Sequence, residues 1–375
     1  QVDLKAVMAH VRDVVYGVYE EESPEALRAD GIDVFIGDAR FTDPYTILAG
    51  EKTIAGRHFL IATGAHPFIP PIPGLKSIDY VTYESVWELE VRPRHLMVIG
   101  AGPIGCAMAQ AFRRLGAEVT LVERERRLLP RDAARASQTL ARVFEAEGIN
   151  LQLGVTVERV WQDGDLTVAG DIVVGGDRAV AGDIAVDGNR PVPGDIHVAV
   201  GGAELVGDAL LLSIGRRPNV NGLDLDKAGV VYDDGGIHVD GNARTNQRHI
   251  YAAGDCTGGH QFTHYAGWQG FLAARNALLP GASVCVADQV PWTTFTDPEV
   301  AHVGLSEDEA RAQFGDDVAT CEWSMAHVDR ARTEGDTDGF LKLVHTKGGT
   351  LLGTTIVAAR AGEMIHEFIL AMDKG

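Results

Sequence analysis

Cysteine is scarce in this chain of 375 residues, and none of Cys106, Cys256, Cys285 and Cys321 lies in a C-x-x-C or similar close pair. That spacing excludes a zinc ribbon and a local redox disulfide, and thiols so sparse and unpaired point to the reducing cytoplasm. Positive charge is also short, with 33 Lys and Arg against 53 Asp and Glu, a net charge of −20. No basic stripe exists to neutralise phosphates along a nucleic acid, so no nucleic-acid partner is expected, and the acidity serves solubility. No apolar run reaches the length of a membrane span or has signal-peptide layout, so no membrane partner is expected. Glycine, by contrast, is abundant at 44 residues beside a hydrophobic fraction of 45%. A turn-rich α/β protein with two or three domains and a sizeable core fits these figures.

The most informative stretch is Met97 to Gly105, where a buried apolar run ends in G-x-G-x-x-G and an amphipathic helix, Ile104–Leu115, follows. Gly100 allows the tight turn out of the strand, Gly102 lets the backbone approach a pyrophosphate, and Gly105 lets the helix pack close to the sheet. Ala101, Pro103 and Ile104 complete the loop. Phosphates placed here would meet the free N–H groups and positive dipole of a helix N-terminus. A second apolar strand, Glu118–Val122, ends at Glu123, 23 residues after Gly100, where a ribose carboxylate is expected. A carboxylate binds both ribose hydroxyls and repels a 2′-phosphate, which favours NAD. Arg124, Arg126 and Arg127 follow at once. They could hold that phosphate instead, or simply form a solvated turn.

Elsewhere the pattern predicts a helix over Val2 to Glu20 and a short one from Ser23-Pro24-Glu25 to Ala29. Strands are expected at Asp33–Gly37, Tyr45–Leu48 and His58–Ile61, then an exposed proline-rich connection over 68–74 and a short helix near Tyr83–Leu89. A helix near Ala133–Glu147 and a strand near Asn150–Leu153 continue the dinucleotide unit. Val168-Ala-Gly-Asp-Ile, Val180-Ala-Gly-Asp-Ile and Val192-Pro-Gly-Asp-Ile recur every 12 residues, which suggests a β-meander rather than a calcium-binding repeat. Strands are expected at Leu210–Ile214 and His249–Ala253, and a helix at Thr263–Leu278. Beyond Pro291 the texture becomes α+β, with a capping box at Ser306 to Glu309 opening a helix to Phe314, and a last helix near Gly362–Met372.

Several patterns stand in one order: Ile61-Ala-Thr-Gly-Ala65, the fingerprint with Glu123, Ile214-Gly-Arg-Arg-Pro-Asn219, and Ala253-Gly-Asp255 with Gln261-Phe-Thr-His264. Thr294-Phe-Thr-Asp-Pro-Glu-Val300 and Ala361-Gly-Glu-Met-Ile-His366 follow. Together they resemble the pyridine nucleotide-disulfide oxidoreductases, the flavoenzyme family that includes dihydrolipoamide dehydrogenase, glutathione reductase and mercuric reductase. The texture is most similar to mercuric reductase-like members, and the resemblance covers nearly the whole chain outside about 161–206.

The resemblance implies an FAD-binding Rossmann-like domain (1–93 and 218–284) interrupted by a NAD(P)-binding Rossmann domain (94–217). An α+β dimerisation domain (285–375) would follow, giving a homodimer. Thr63, Gly64 and Ala65 would lie along the flavin nucleotide, with Ala39 near it. Asp255 would accept from the ribityl chain, and Gln261, Phe262, Thr263 and His264 would lie by the isoalloxazine ring. Gly100, Ala101, Gly102, Pro103, Ile104, Gly105, Glu123, Val157 and Gly215 would hold the dinucleotide. Hydride would pass from NAD(P)H to FAD and on to a cysteine pair, then to a small-molecule or metal-ion acceptor such as a disulfide or Hg(II).

This sequence departs from that pattern in three places. The family's N-terminal FAD fingerprint with its C-x-x-x-x-C pair and its C-terminal acid/base or cysteine pair are not in these residues, so no catalytic residue is assigned and a fragment of a longer enzyme is expected. Ala107 stands where members carry a glutamate near the flavin. Dihydrolipoamide dehydrogenase and a non-catalytic nucleotide-binding dimerisation module are the alternatives. Among isolated features, His260 and His264 lack a third metal ligand, and Cys106 reads as an apolar filler. Glu363 with His366 reads as a helix-surface or dimer contact.

Overall fold

The computed structural model describes residues 2–163, 194–287 and 289–374. Most of the 12-residue repeat therefore lies outside the described residues. Its last copy runs into the strand Ile196–Val200, which pairs antiparallel with both Val157–Gln162 and Ala203–Gly207.

At the centre is a four-stranded parallel sheet ordered Ala209–Leu212, His95–Ile99, Glu118–Glu123, Asn150–Leu153. Its strands are near-continuous apolar runs because both faces are covered. The helices Pro103–Arg114 and Ala134–Glu147 cover one face through buried Ala109, Phe112, Leu140 and Phe144. The small antiparallel sheet covers the other, joining Val160, Ile196 and Val198 to Met97 and Leu210 in a second cluster. Each large side chain so buried contributes about 1.5–3 kcal/mol.

A second parallel pair, Phe59–Ile61 with Ile250–Ala252, sits in its own core with Phe41, Val220, Leu225 and Cys256. Beside it the strands Ala39–Asp43, Thr46–Ala49 and Lys52–Ala55 form an antiparallel meander. The last part of the chain forms a five-stranded antiparallel sheet ordered Trp292–Thr294, Glu299–Gly304, Leu351–Ala358, Phe340–Thr346, Val318–Ser324. The helix Ala361–Lys374 packs on it through Ala361 and Ile365. The architecture is mixed α/β throughout, as expected.

Cap chemistry behaves as the sequence indicates. Ser23 accepts from the Ala26 N–H ahead of Pro24–Ala29, and Ser306 with Glu309 closes a reciprocal capping box. Two expectations are corrected. Residues 33–37 form no strand; Ile32, Phe35 and Ile36 are exposed, they pair with no strand among the described residues, and Lys52 lies over the Phe35 ring. The expected helix at 83–89 is one 3-10 turn, Val86–Glu88. There the hydroxyl of Ser85 accepts from the Thr82 N–H and that of Thr82 from the Glu84 N–H, a local alternative to helical bonding.

Candidate functional site

The fingerprint strand His95–Ile99 ends at Gly100, whose φ of +102° and N–H donated to Val122 turn the chain sharply over the sheet. A Cβ at Gly100 would meet the Ser213 carbonyl oxygen at 2.6 Å, and one at Gly105 would meet the Gly100 carbonyl oxygen at 1.8 Å. Both positions therefore require glycine for packing. Gly102 differs, since a Cβ there would touch nothing within 4 Å. It is the N-cap of Pro103–Arg114 and supplies no side-chain cap, while Pro103 occupies the first turn, where its missing N–H costs nothing. The result is an open cradle above an uncapped helix N-terminus, which suits a pyrophosphate. Ala107 lies half-buried on the same helix, so no carboxylate projects from that position.

Glu123 is tied into the loop. Its Oε2 accepts from the Ala101 N–H at 2.7 Å and its Oε1 from the Glu125 N–H at 2.9 Å. A carboxylate offers about four acceptor positions, so two remain for ribose hydroxyls. Just beyond it a cavity of about 400 Å³ is lined by Arg124, Glu125, Arg126, Arg127, Pro130 and Gly154. Two of its arginines are already engaged, Arg124 with Glu125 at 3.3 Å and Arg127 with the Pro130 carbonyl at 2.7 Å. Val157 opens the adjoining strand, opposite Val200. Gly215 is exposed, with φ +122°.

The loop after Glu123 folds back over the fingerprint. Leu129 donates to the Ala101 carbonyl while fully buried, with φ +45°, a conformation a branched residue holds only when its surroundings enforce it. Asp132 follows, buried, its carboxyl pushed up to about 6 by burial. Its Oδ1 accepts from the Trp292 Nε1–H at 2.9 Å, linking this loop to the antiparallel sheet. Trp292 stacks beside Phe262 (6.4 Å, 3°) and lies tilted against His302 (4.5 Å, 38°), and Phe262 stacks on His264 (5.6 Å, 13°). Burial and Arg131 push the His260 imidazole down, and burial does the same to His302.

The other set of expected residues gathers at the C-terminal ends of Phe59–Ile61 and Ile250–Ala252, where open α/β sheets bind ligands. Ala253 donates to the Ile61 carbonyl, which sets Thr63–Gly64 beside Gly254–Asp255. Gly64 has φ +69° and open space where a Cβ would stand. Ala65 begins the ribbon Ala65–Pro67, paired with Arg216–Pro218. Gln261 and Phe262 lead into the helix Thr263–Leu278, and His264 donates from Nε2–H to the Pro291 carbonyl at 2.9 Å, which fixes the tautomer protonated at Nε2. Ala39 is exposed at the start of the outer meander strand, and no hydrogen bond ties it to these residues among those described.

Sequence reasoning missed three connections. Arg216 bonds Asp255 at 2.7 Å. Asn219 fastens Thr63, its Nδ2–H donating to the Thr63 carbonyl and its own carbonyl accepting from Thr63 Oγ1. Gln110 binds the Asp297 backbone through both its amide atoms. Arg216 and Asn219 were visible inside a motif, but their partners lie far away in sequence. Cys106 is fully buried and its thiol is pushed up by burial, so it is a packing residue and no nucleophile. No group of three His, Cys, Asp or Glu among the described residues is arranged to hold a metal, and no helix among them is long and apolar enough to cross a membrane.

Comparison with known proteins bears directly on this geometry. Residues 17–270 match the family described as pyridine nucleotide-disulphide oxidoreductase, and residues 290–375 match its dimerisation domain. The chain is 35% identical over 378 residues to a mercuric reductase of Bacillus cereus, covering 100% of this chain and 56% of that one. It is 33% identical to a dihydrolipoyl dehydrogenase of Thermus scotoductus, covering 93% of this chain and 70% of the other. In structure it is similar to the HOCl-induced flavoprotein disulfide reductase RclA from Escherichia coli, with TM-score 0.85, 28% identity, and coverage of 100% and 80%. The chain thus spans little more than half the length of the Bacillus relative and 64% of the mercuric reductase of Staphylococcus aureus.

Proposed function

Because the chain belongs to the pyridine nucleotide-disulphide oxidoreductases, enzymes that use FAD and NAD(P)H, we propose that it serves an NADH-dependent flavin oxidoreductase of mercuric reductase type. The acceptor in this reading is Hg(II), with a disulfide as the related possibility. Mercuric reductases about one-third identical over the whole chain support it. The observation that carries it is the open cradle at Gly102, where an uncapped helix N-terminus meets a carboxylate fixed at the adjoining strand end.

Bound FAD would supply what no side chain can, taking two electrons from the nicotinamide and handing them on. The chain's own residues bind and orient. The N–H groups beneath Gly102, at Ile104 and Gly105, would hold the dinucleotide pyrophosphate. Glu123 would take the ribose hydroxyls and repel a 2′-phosphate, with Val157 and Gly215 alongside. The backbone of Thr63, Gly64 and Ala65 would run along the flavin nucleotide, with Ala39 near its far end, while Asp255 would accept a ribityl hydroxyl. Gln261 to His264, backed by the Phe262–Trp292 stack, would wall the ring from water.

In this reading residues 1–93 and 218–284 form the FAD-binding domain, 94–217 the NAD(P)-binding domain and 285–375 the dimerisation domain. The match of 290–375 to the family's dimerisation domain supports a homodimer. The four unpaired thiols fit a reducing compartment, and we infer the cytoplasm. The Thermus relative keeps lipoamide as a second acceptor to test. The experiment is NADH oxidation by the FAD-loaded full-length protein that contains this chain, with Hg(II) plus excess thiol, lipoamide or oxidised glutathione. Turnover with Hg(II) at least about tenfold above the others supports the proposal. Faster turnover with lipoamide replaces it, and binding of nucleotides without turnover on any acceptor favours a non-catalytic module.

A further inference from the structure

The edge strand of the five-stranded sheet, Trp292–Thr294, and the residues flanking it touch both halves of the candidate site. On the flavin side, the Pro291 carbonyl accepts from His264 Nε2–H at 2.9 Å, and the Trp292 ring lies parallel to Phe262. On the dinucleotide side, the indole Nε1–H of the same Trp292 donates to Asp132 Oδ1 at 2.9 Å. Asp132 closes the loop over the fingerprint: its N–H donates to the Leu129 carbonyl, and the Leu129 N–H donates to the Ala101 carbonyl. Further along, Asp297 meets the fingerprint helix. Its N–H donates to Gln110 Oε1 at 2.7 Å, its carbonyl accepts from Gln110 Nε2–H at 2.8 Å, and its carboxylate lies 2.9 Å from Arg114. Pairing of Trp292 with His302, and the Thr296 hydroxyl donated to the Pro298 carbonyl, hold the segment in one shape.

We propose that Trp292 is a positioning residue for hydride transfer, and that segment 291–297 is a strut setting the spacing between the dinucleotide cradle and the wall of the flavin ring. This rests on the proposed reading of Gly100–Gly105 as the NADH cradle and of Gln261–His264 as flavin neighbours. In that step NADH gives a hydride to FAD, leaving NAD⁺ and FADH⁻, and a misplacement of about 1 Å costs about a hundredfold in rate. The cradle and the ring wall belong to separate sheets, and the strut is bonded to both. Tryptophan suits the task. A buried carboxylate such as Asp132 needs a donor, and indole offers a single N–H in a fixed direction and no acceptor. One rigid side chain thus presents its N–H to the loop over Ala101 and its ring to Phe262.

The test uses the FAD-loaded full-length protein that contains this chain, as wild type, W292F, D132L, D132N and W292F/D132L. Anaerobic stopped-flow reduction of the bound flavin over a range of NADH concentrations separates the limiting rate from the apparent dissociation constant. W292F and D132L should each lower the limiting rate about tenfold or more, while the dissociation constant stays within about threefold. D132N still accepts from the indole and should stay within about threefold of wild type, and the double variant should be little slower than either single one. Hydrogen exchange measured without NADH gives a readout independent of turnover: the Leu129 and Asp132 amides should exchange about tenfold or more faster in W292F than in wild type or D132N. If either single variant does not fold, the other carries both measurements. Wild-type rates in W292F or D132L, unchanged exchange, or a weakened dissociation constant that accounts for the whole loss overturns the strut and leaves the pair a packing contact. Wild-type protein whose bound flavin NADH does not reduce overturns the proposed function itself, and the strut with it.

Discussion

Replacing Asp132 by asparagine should stabilise this protein at neutral pH and leave it unchanged in acid. Burial raises the Asp132 carboxyl from the ordinary 3.8 to about 6, against the opposing pull of the Trp292 N–H, Arg127 and Arg131. The folded chain therefore holds this proton more tightly than the unfolded chain. Below about pH 4 both states are protonated and nothing is lost, whereas between about pH 4 and pH 6 the unfolded state releases its proton first and stability falls as pH rises. Above about pH 6 the full penalty applies, ~3 kcal/mol when the shift from 3.8 to about 6 is converted at about 1.4 kcal/mol for each pH unit. Asparagine keeps an oxygen for the Trp292 N–H at nearly the same volume and carries no charge to desolvate. Urea midpoints followed by tryptophan fluorescence should converge for the two proteins at about pH 4 and diverge up to about pH 8, the variant being the more stable. Parallel curves across that range, or a variant less stable at about pH 8, would refute the assignment of Asp132 as a buried carboxyl carrying a desolvation penalty.

Three further outcomes follow from the same geometry. Gly105→Ala places a methyl group 1.8 Å from the Gly100 carbonyl oxygen, so the helix must retreat; a cost of about 1–3 kcal/mol and a large loss of NADH affinity by calorimetry are expected. Gly102→Ala meets open space, so thermal stability should hold within about 1 kcal/mol while dinucleotide affinity falls. Glu123→Gln removes the charge that would repel a 2′-phosphate and one of the two backbone acceptors; the ratio of kcat/KM for NADH over NADPH should fall about tenfold or more, and an unchanged ratio would pass the role to the neighbouring arginines.

How much of this was legible depends on the distance over which each feature is encoded. The fingerprint turn, the caps at Ser23 and Ser306, and the helix Thr263–Leu278 are set by neighbouring residues, and each is found where the sequence puts it. Positions 33–37 failed because apolar residues there suggest a strand, while strand formation depends on a partner that sequence alone does not name. The turn at Val86–Glu88 failed because the hydroxyls of Thr82 and Ser85 outcompete helical bonding. In the candidate site, residue types were readable but pairings were not. Arg216 finds Asp255 39 positions away, Trp292 finds Asp132 160 away, and Gln110 finds Asp297 187 away. Such contacts exist only once two separate chain segments have folded and docked, so no local rule specifies them.

The most direct test of the central claim is the visible absorption spectrum of the purified protein, saturated with FAD and freed of excess, during anaerobic addition of NADH. The account predicts a retained flavin spectrum that bleaches as NADH is oxidised, in wild type and not in Gly105→Ala. Flavin that washes away, or that stays oxidised in the presence of NADH, would contradict it.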